Sequence, residues 1–193
     1  VENGISFPWV KELGDLKAAL PYSLTEAQTR VVREILRDQK SLFPMNRLVQ
    51  GDVGSGKTVV ALIAIFNVVK CGYQATLMVP TEILASQHYE EAKKLLGPFG
   101  IHIELLTGST SAKEKRRIKE IITTETPMVV IGTHALIQED VDFKNLGLVV
   151  TDEQHRFGVE QRNRLINKGR RPDVLVMTAT PIPRTLALYV YSD

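Results

Sequence analysis

Short apolar runs separated by longer helical patterns limit the folds open to this chain more than any other feature. Most of the runs are continuously apolar rather than alternating, and they are residues 47–50, 75–80, 101–107, 128–133, 146–153 and 173–180. Continuous apolar strands are typical of parallel sheets whose two faces are both covered. The segments between them are long enough for crossover helices, which join parallel strands. The pattern predicts an α/β domain with a doubly wound, mostly parallel sheet.

The composition fits one domain of this kind. The chain has 193 residues, of which 44% are hydrophobic and 24% charged, and its net charge is only +2. Such a small charge gives no argument for nucleic acid, so any basic surface must be local. The single cysteine, Cys71, excludes a disulfide within the chain and fits a reducing, intracellular compartment. The longest apolar run, residues 59–66, is too short to cross a bilayer.

The beginning of the chain differs from the rest. Residues 1–21 contain Gly4, Pro8 and Gly14 around a short amphipathic stretch, and we expect them to form a linker or incoming arm. The regular pattern of residues 22–193 then predicts the domain itself.

A capping box marks the first helix of that domain. Thr25 is the expected N-cap, and Gln28 is its partner three residues later. Apolar residues at helical spacing carry the pattern to about Asp38.

Polar clusters follow the apolar runs at the points where the predicted strands end. They read QGDVGSGKT, VPTE, TGST, GTH, TDEQH and MTATP. In open parallel sheets, ligands bind outside the carboxyl ends of the strands. We therefore expect one working edge that carries all six clusters.

The first of these clusters contains a phosphate-binding loop. The expected binding residues are Gly51, Asp52, Val53, Gly54, Ser55, Gly56, Lys57 and Thr58, which match G-x-x-x-x-G-K-[ST] between a strand and a helix. Glycines let backbone N–H groups curl around an anion, and the helix adds its positive end. Lys57 would act catalytically on the β- and γ-phosphates, and Thr58 would bind Mg²⁺. The alternative is a glycine-rich turn with an accidental lysine.

Two carboxylates supply the second half of the expected site. Asp152 follows a buried strand and would hold Mg²⁺. Glu153 would orient or deprotonate the attacking water. The alternative is an exposed acidic pair at a strand end. Together with the phosphate loop, the acids indicate hydrolysis of a nucleoside triphosphate.

The block DEQH at residues 152–155 resembles motif II of the superfamily-two helicases of the DExH variety. Other segments resemble further helicase motifs in the right order: LTEAQ the Q motif, VPTEILASQH motif Ia, LLTGST the TxGx element, IGTHALIQ motif Ib and TAT motif III. The blocks PMNRLVQGDVGSGKT, DEQHRFGVEQR and VMTATPIPRTLAL are similar to the RecG family of bacterial branched-DNA translocases.

That resemblance implies a RecA-like, ATP- and Mg²⁺-dependent motor domain in the bacterial cytoplasm. Its partner would be branched double-stranded DNA, at stalled forks and Holliday junctions in repair and recombination. A second RecA-like domain and a wedge domain would belong to the same parent chain, so the fragment alone should be nearly inactive. The alternatives are the equivalent domain of a transcription-repair coupling translocase of the Mfd family, a P-loop phosphotransferase, and a binding module without activity.

The resemblance also implies roles for single residues in the nucleotide half. Gln28 would bind adenine, although it could merely cap its own helix, and Tyr22 or Phe7 could stack on the base. His155 would link the ATP site to motif III, where Thr178 and Thr180 would couple hydrolysis to DNA. The alternatives are a hydrogen-bonded core histidine and ordinary strand threonines.

Contacts to the DNA backbone are expected from loops. The candidates are Pro80, Thr81, Gly108, Ser109, Thr133 and His134. A dense basic run comprises Lys113, Lys115, Arg116, Arg117 and Lys119. Because acids lie among these residues on a predicted helix, a solvated face is favoured over a nucleic-acid surface.

Overall fold

A computed structural model describes residues 4–51, 56–138, 140–152 and 171–178, together with the backbone of residues 188–192. These residues contain seven strands: β1 (Asn46–Gly51), β2 (Gln74–Met78), β3 (Ile103–Leu106), β4 (Met128–Gly132), β5 (Leu146–Asp152), β6 (Asp173–Thr178) and β7 (Leu188–Ser192). They form one sheet in the order β3-β4-β2-β5-β6-β1-β7. The first six strands pair in parallel, and β7 pairs antiparallel to β1.

The six predicted strands are all present, which confirms the expected doubly wound, mostly parallel sheet. The strand β7 was not predicted. The strand β3 begins at Ile103, two residues later than expected, because a short 3₁₀ turn, Gly97–Phe99, precedes it and Gly100 takes φ 77°. Glycine adopts that left-handed conformation without the penalty a side chain would bring.

Helices cover both faces of the sheet. The α-helices are α1 (Leu13–Ala19), α2 (Glu26–Lys40), α3 (Gly56–Lys70), α4 (Glu82–Leu96) and α5 (Ala112–Ile122), with a second 3₁₀ turn at His134–Ile137. Side chains alternate between the two faces of a strand. In β4, Val129 and Ile131 join the larger core cluster under α3, whereas Met128 and Val130 join the smaller one under α5.

Helix α3 is the central helix of the larger layer. Its residues from Lys57 to Val69 are all buried, including the polar ones. A helix that is apolar on every side is typical of a core rather than a surface position. The helix that follows the phosphate loop is therefore fixed by packing along nearly its whole length. No helix among the described residues is long and apolar enough to cross a membrane.

The predicted arm packs on the domain. Three of its donors bond to carbonyls near the carboxyl end of α2: Ser6 Oγ to Lys40 O at 2.5 Å, Phe7 N to Gln39 O at 2.6 Å and Trp9 Nε1 to Leu36 O at 3.0 Å. The carbonyls of Gln39 and Lys40 are in the last turn and lack partners within the helix, so the arm satisfies groups that would otherwise need water. The arm thus completes the carboxyl end of α2.

Candidate nucleotide site and nucleic-acid loops

Three neighbouring strands bring the main nucleotide candidates to one edge. Gly51 ends β1, Thr178 ends β6 and Asp152 ends β5. Neighbouring strands lie about 4.8 Å apart, so the ends of β1 and β5 are separated by roughly 10 Å. We call this the carboxyl edge.

Lys57 and Thr58 lie in the first turn of α3, and both are buried, at 8% and 6% exposure. The N–H groups of a first helical turn lack intrahelical partners and favour anions. In β5, Val150 packs into the core cluster under α3, and Asp152 is two residues further on. Because alternate residues share a face, Asp152 faces the same side of the sheet as α3. The start of α3, with Lys57 and Thr58, and the Asp152 carboxylate therefore lie on the same side of the sheet at this edge.

Seven expected site residues lie outside the described part of the chain: Asp52, Val53, Gly54, Ser55, Glu153, His155 and Thr180. Thr178, one of the two coupling candidates, is buried at the end of β6. It lies one residue after Met177, which packs under α3, so it faces the opposite side of the sheet from Asp152.

Gln28 joins the start of α2 to the start of α3. Its Oε1 accepts a hydrogen bond from Thr25 N at 2.8 Å, and Thr25 Oγ1 accepts one from Gln28 N at 3.1 Å. This is the predicted capping box. The Gln28 Nε2 donates to Gly56 O at 3.5 Å, at the first residue of α3. The amide that caps its own helix thus also reaches the phosphate loop.

One of the two stacking candidates is wrong. Phe7 has no exposed surface and packs edge-on against Tyr73, with ring centroids 5.1 Å apart. A Cβ on Gly147 would lie only 2.8 Å from its ring, so Phe7 lies at the amino end of β5. That end is opposite the carboxyl edge, which leaves no route to a base there. Tyr22 is exposed, just before α2.

Two polar side chains of this edge were missed by the sequence analysis. Gln50 Oε1 and Thr151 Oγ1 are buried and bond to no described residue. Each directly follows an apolar pair, Leu48-Val49 or Val149-Val150, and directly precedes an expected site residue, Gly51 or Asp152. A polar residue after such a pair and next to a motif is the signal that could have identified them.

The candidate nucleic-acid loops lie at the same edge of the sheet, in its other half. They follow β2, β3 and β4, which are neighbours in the sheet. Thr81 caps α4, since its Oγ1 accepts from Leu84 N at 3.2 Å, and Pro80 precedes it. Gly108 and Ser109 are exposed at the tip of the β3–α5 loop. The strand ends therefore gather these loops on one surface.

The two candidates after β4 differ from each other. Thr133 is buried, and its Oγ1 bonds to no described residue, whereas His134 is exposed. Gly132 fixes the close approach of β4 to β3, because a Cβ there would lie 2.0 Å from Leu106 O. Only the His134 side chain of this pair faces solvent.

Most cations of the basic run have partners on the protein. Arg117 bonds to Glu104 through both guanidinium ends, at 2.9 and 2.8 Å, and also to Glu114. Burial works to raise the pKa of Glu104, but hydrogen bonds from Arg117 and His102 hold that pKa below its ordinary value. Lys119 pairs with Asp140 at 2.6 Å. These pairs attach α5 to β3, the outermost strand of the sheet, and to the loop that contains Asp140.

A phosphate-loop sequence between a strand and a buried helix of a mostly parallel sheet, with an acid at the end of a nearby strand, is typical of RecA-like nucleotide-binding domains. The chain matches the DEAD/DEAH box helicase family over residues 25–188 and belongs to that family.

Relatives narrow the comparison further. The chain is 54% identical over 192 residues to the ATP-dependent DNA helicase RecG of Streptococcus pneumoniae, covering 99% of this chain and 28% of that protein. It is 58% identical over 175 residues to RecG of Thermotoga maritima, covering 91% and 22%. It thus spans about a quarter of the length of these relatives. They favour the RecG resemblance over the Mfd alternative.

Solved structures agree with this fold. A structure of RecG bound to a three-way DNA junction is similar at 52% identity and a TM-score of 0.83, over 95% of this chain and 25% of that one. The UvsW helicase of bacteriophage T4 has the same fold at 16% identity and a TM-score of 0.65, over 92% and 62%.

Proposed function

We propose that this chain is the first motor domain of a RecG-like translocase, which binds and hydrolyses ATP at the carboxyl edge to move on branched double-stranded DNA. The observation that carries the proposal is the position of Lys57, Thr58 and Asp152 on one side of the sheet at that edge. It is supported by the helicase relatives, which are ATP-dependent.

The residues present fit a magnesium-bound triphosphate. Lys57 and the first-turn N–H groups of α3 offer positive charge to phosphate oxygens, and Thr58 and Asp152 offer oxygen ligands to Mg²⁺. A Mg²⁺ ion held by these two residues would neutralise charge that develops on the transferred phosphoryl group. Glu153 positions the attacking water, and Gln28 binds the adenine through the same side-chain amide whose Oε1 accepts from Thr25 N in the capping box.

The coupling part of the proposal concerns DNA. His155, Thr178 and Thr180 couple ATP binding and hydrolysis to the loops after β2, β3 and β4. These loops bind phosphates of the DNA backbone. Such contacts position DNA without reading its sequence. Forks and Holliday junctions are the proposed substrates, in repair and recombination in a bacterial cytoplasm. The proposed translocase also contains a second RecA-like domain and a wedge domain.

A chimera tests this proposal. The chain replaces the matched segment of the Streptococcus pneumoniae relative, and ATP turnover is measured with and without three-way junction DNA. We expect DNA-stimulated turnover, and Lys57→Ala should lower it at least about 100-fold, because a charge stabilising the transition state is lost. The 193 residues on their own should turn over about 10³–10⁵-fold more slowly than the chimera, because a second RecA-like domain of the relative would supply an arginine finger in the chimera.

The matched control is Lys70→Ala, at the other end of α3, where Lys70 donates to Phe99 O at 2.7 Å. Turnover in this variant should stay within about twofold of the unmodified chimera, because a surface contact of this kind contributes little. Undiminished turnover in Lys57→Ala, or no response to DNA in the unmodified chimera, would contradict the proposal.

A further inference from the structure

A carboxylate joins two of the candidate DNA loops. Glu82, the first residue of α4, accepts a hydrogen bond from the hydroxyl of Ser109 in the β3–α5 loop. Its other oxygen, Oε2, would lie 3.4 Å from a Cβ placed on Gly108. An acid therefore lies against the tip of a loop that is expected to meet an anion.

Other contacts already hold that loop in shape. Thr107 N donates to Thr110 Oγ1 at 2.9 Å, and Ser109 N donates to Thr107 Oγ1 at 3.2 Å. Lys115 Nζ donates to Gly108 O at 3.0 Å. None of these hydrogen bonds involves Glu82. The turn is thus closed by its own threonines and by a lysine of α5, and it does not need the carboxylate to form.

The chemistry of the Glu82 contact opposes phosphate binding. A serine hydroxyl has one proton, and while Ser109 donates it to Glu82 it cannot donate it to a phosphate oxygen. A hydrogen bond to an ionised acceptor is also stronger than one to a neutral acceptor. In addition, the negative charge of Glu82 repels the charge of a phosphodiester a few ångströms away.

We propose that Glu82 is a built-in competitor of the DNA backbone: it holds the Ser109 hydroxyl when no DNA is bound and yields it to an arriving phosphodiester. The grip of the β3–α5 loop on DNA is thereby weakened. A motor that moves along DNA must release each phosphate it holds, and a competing carboxylate beside the donor favours release. This inference rests on the proposed DNA function.

Equilibrium binding of fluorescent three-way junction DNA to the full chain at fixed salt tests the inference. Glu82→Gln keeps the shape and an acceptor oxygen but removes the charge. It should tighten binding by about three- to tenfold, the size expected for one charge pair near 4 Å in water. The matched control is Glu90→Gln, which removes an exposed acid eight residues later, about 12 Å along α4. Its effect should stay below about twofold at this distance.

A double-mutant cycle separates competition for the hydroxyl from charge alone. In a Ser109→Ala chain the donor is gone, so adding Glu82→Gln should tighten binding much less than it does in the unmodified chain. Equal effects of Glu82→Gln and Glu90→Gln, weaker binding by Glu82→Gln, or an undiminished gain without Ser109 would each overturn the inference.

A further variant, Gly108→Ala, shows whether a negative result contradicts only the role of Glu82 or the proposed DNA function as well. Among the described residues beyond its two chain neighbours, the added methyl group meets only Glu82, at 3.4 Å, but it would obstruct a phosphate approaching the backbone. Binding should weaken in this variant. If it weakens while Glu82→Gln brings no gain, the inference alone is overturned. If neither variant changes the affinity, the proposed contact surface and the inference are overturned together.

Discussion

The two edges of the sheet treat their buried polar groups in opposite ways. At the amino edge, where the parallel strands begin, Gln74 donates to the carbonyls of Ile122, Thr124 and Thr126, and it accepts from Asn145 N at 2.9 Å. At the carboxyl edge, the buried side-chain oxygens of Gln50, Thr151 and Thr133 bond to no described residue. At the amino edge, hydrogen bonds within the protein satisfy the buried Gln74 side chain. At the carboxyl edge, buried polar groups have no partner among the described residues.

This difference indicates that folding stability shapes the amino edge and that function shapes the carboxyl edge. A buried polar group without a partner destabilises a fold by about 1–3 kcal/mol, so such groups are rare unless something else requires them. Candidate site residues and polar groups of this kind occur together at the carboxyl edge. The amino edge carries the contacts that stabilise the sheet.

The largest expected effect is at the amino edge. Gln74→Ala should lower the free energy of unfolding by about 1–3 kcal/mol, because the fully buried Gln74 side chain bonds to Asn145 N and to the carbonyls of Ile122, Thr124 and Thr126. Urea denaturation of the full chain measures it. Gln87→Ala, on the exposed side of α4, is the matched control and should change stability by less than about 0.5 kcal/mol. Similar losses in the two variants would remove the contrast between the edges.

Asp173 is an exception at the amino edge. Its Oδ1 accepts from Met45 N at 2.7 Å, but its buried Oδ2 bonds to no described residue. Burial raises the pKa of Asp173 to about 8, Asp38 adds to this, and the Met45 N–H works against it. The carboxyl group is therefore protonated in the folded state at pH values where an exposed aspartate is charged.

This exception predicts a pH dependence. Between roughly pH 4, the pKa of an unfolded aspartate, and pH 8, the folded chain holds a proton that the unfolded chain has lost. Stability should therefore fall as the pH rises through this window, by at most about 1.4 kcal/mol per pH unit. Asp173→Asn should flatten the fall and be more stable than the unmodified chain at pH 8, by urea denaturation across the window. Asp15→Asn, on exposed α1, should leave the slope unchanged; equal slopes in all three chains would contradict the assignment.

The strands followed from the sequence because a buried parallel strand is a continuous apolar run, and β2, β4, β5 and β6 are such runs. The Thr25 cap followed because its residues are neighbours in the chain, and the phosphate loop is predicted from neighbouring residues in the same way. The contacts of Gln74 and Glu82 could not be predicted from the sequence, since their partners are 27 or more residues away and only the fold brings them together. Phe7 was misplaced for the same reason.

The smallest expected effect is at the carboxyl edge. Thr151→Val keeps the shape of a buried side chain and removes a hydroxyl that no described residue satisfies. The free energy of unfolding should stay the same or rise by up to about 1 kcal/mol, because a desolvated hydroxyl is replaced by a methyl group. The same urea titration measures it, with Thr123→Val, whose exposed hydroxyl bonds to Glu120 O, as the comparison. A decrease of more than about 1 kcal/mol in the free energy of unfolding of Thr151→Val would show that the hydroxyl makes a stabilising hydrogen bond.

Amide hydrogen exchange of the full chain, with and without saturating Mg²⁺ and ATP, tests most directly whether the carboxyl edge is the ligand edge. We predict slower exchange at residues 56–60 and 150–152, and unchanged exchange at residues 72–76 and 144–148, with no slowing anywhere in Lys57→Ala. Equal protection of the two edges, or protection confined to the amino edge, would contradict the account.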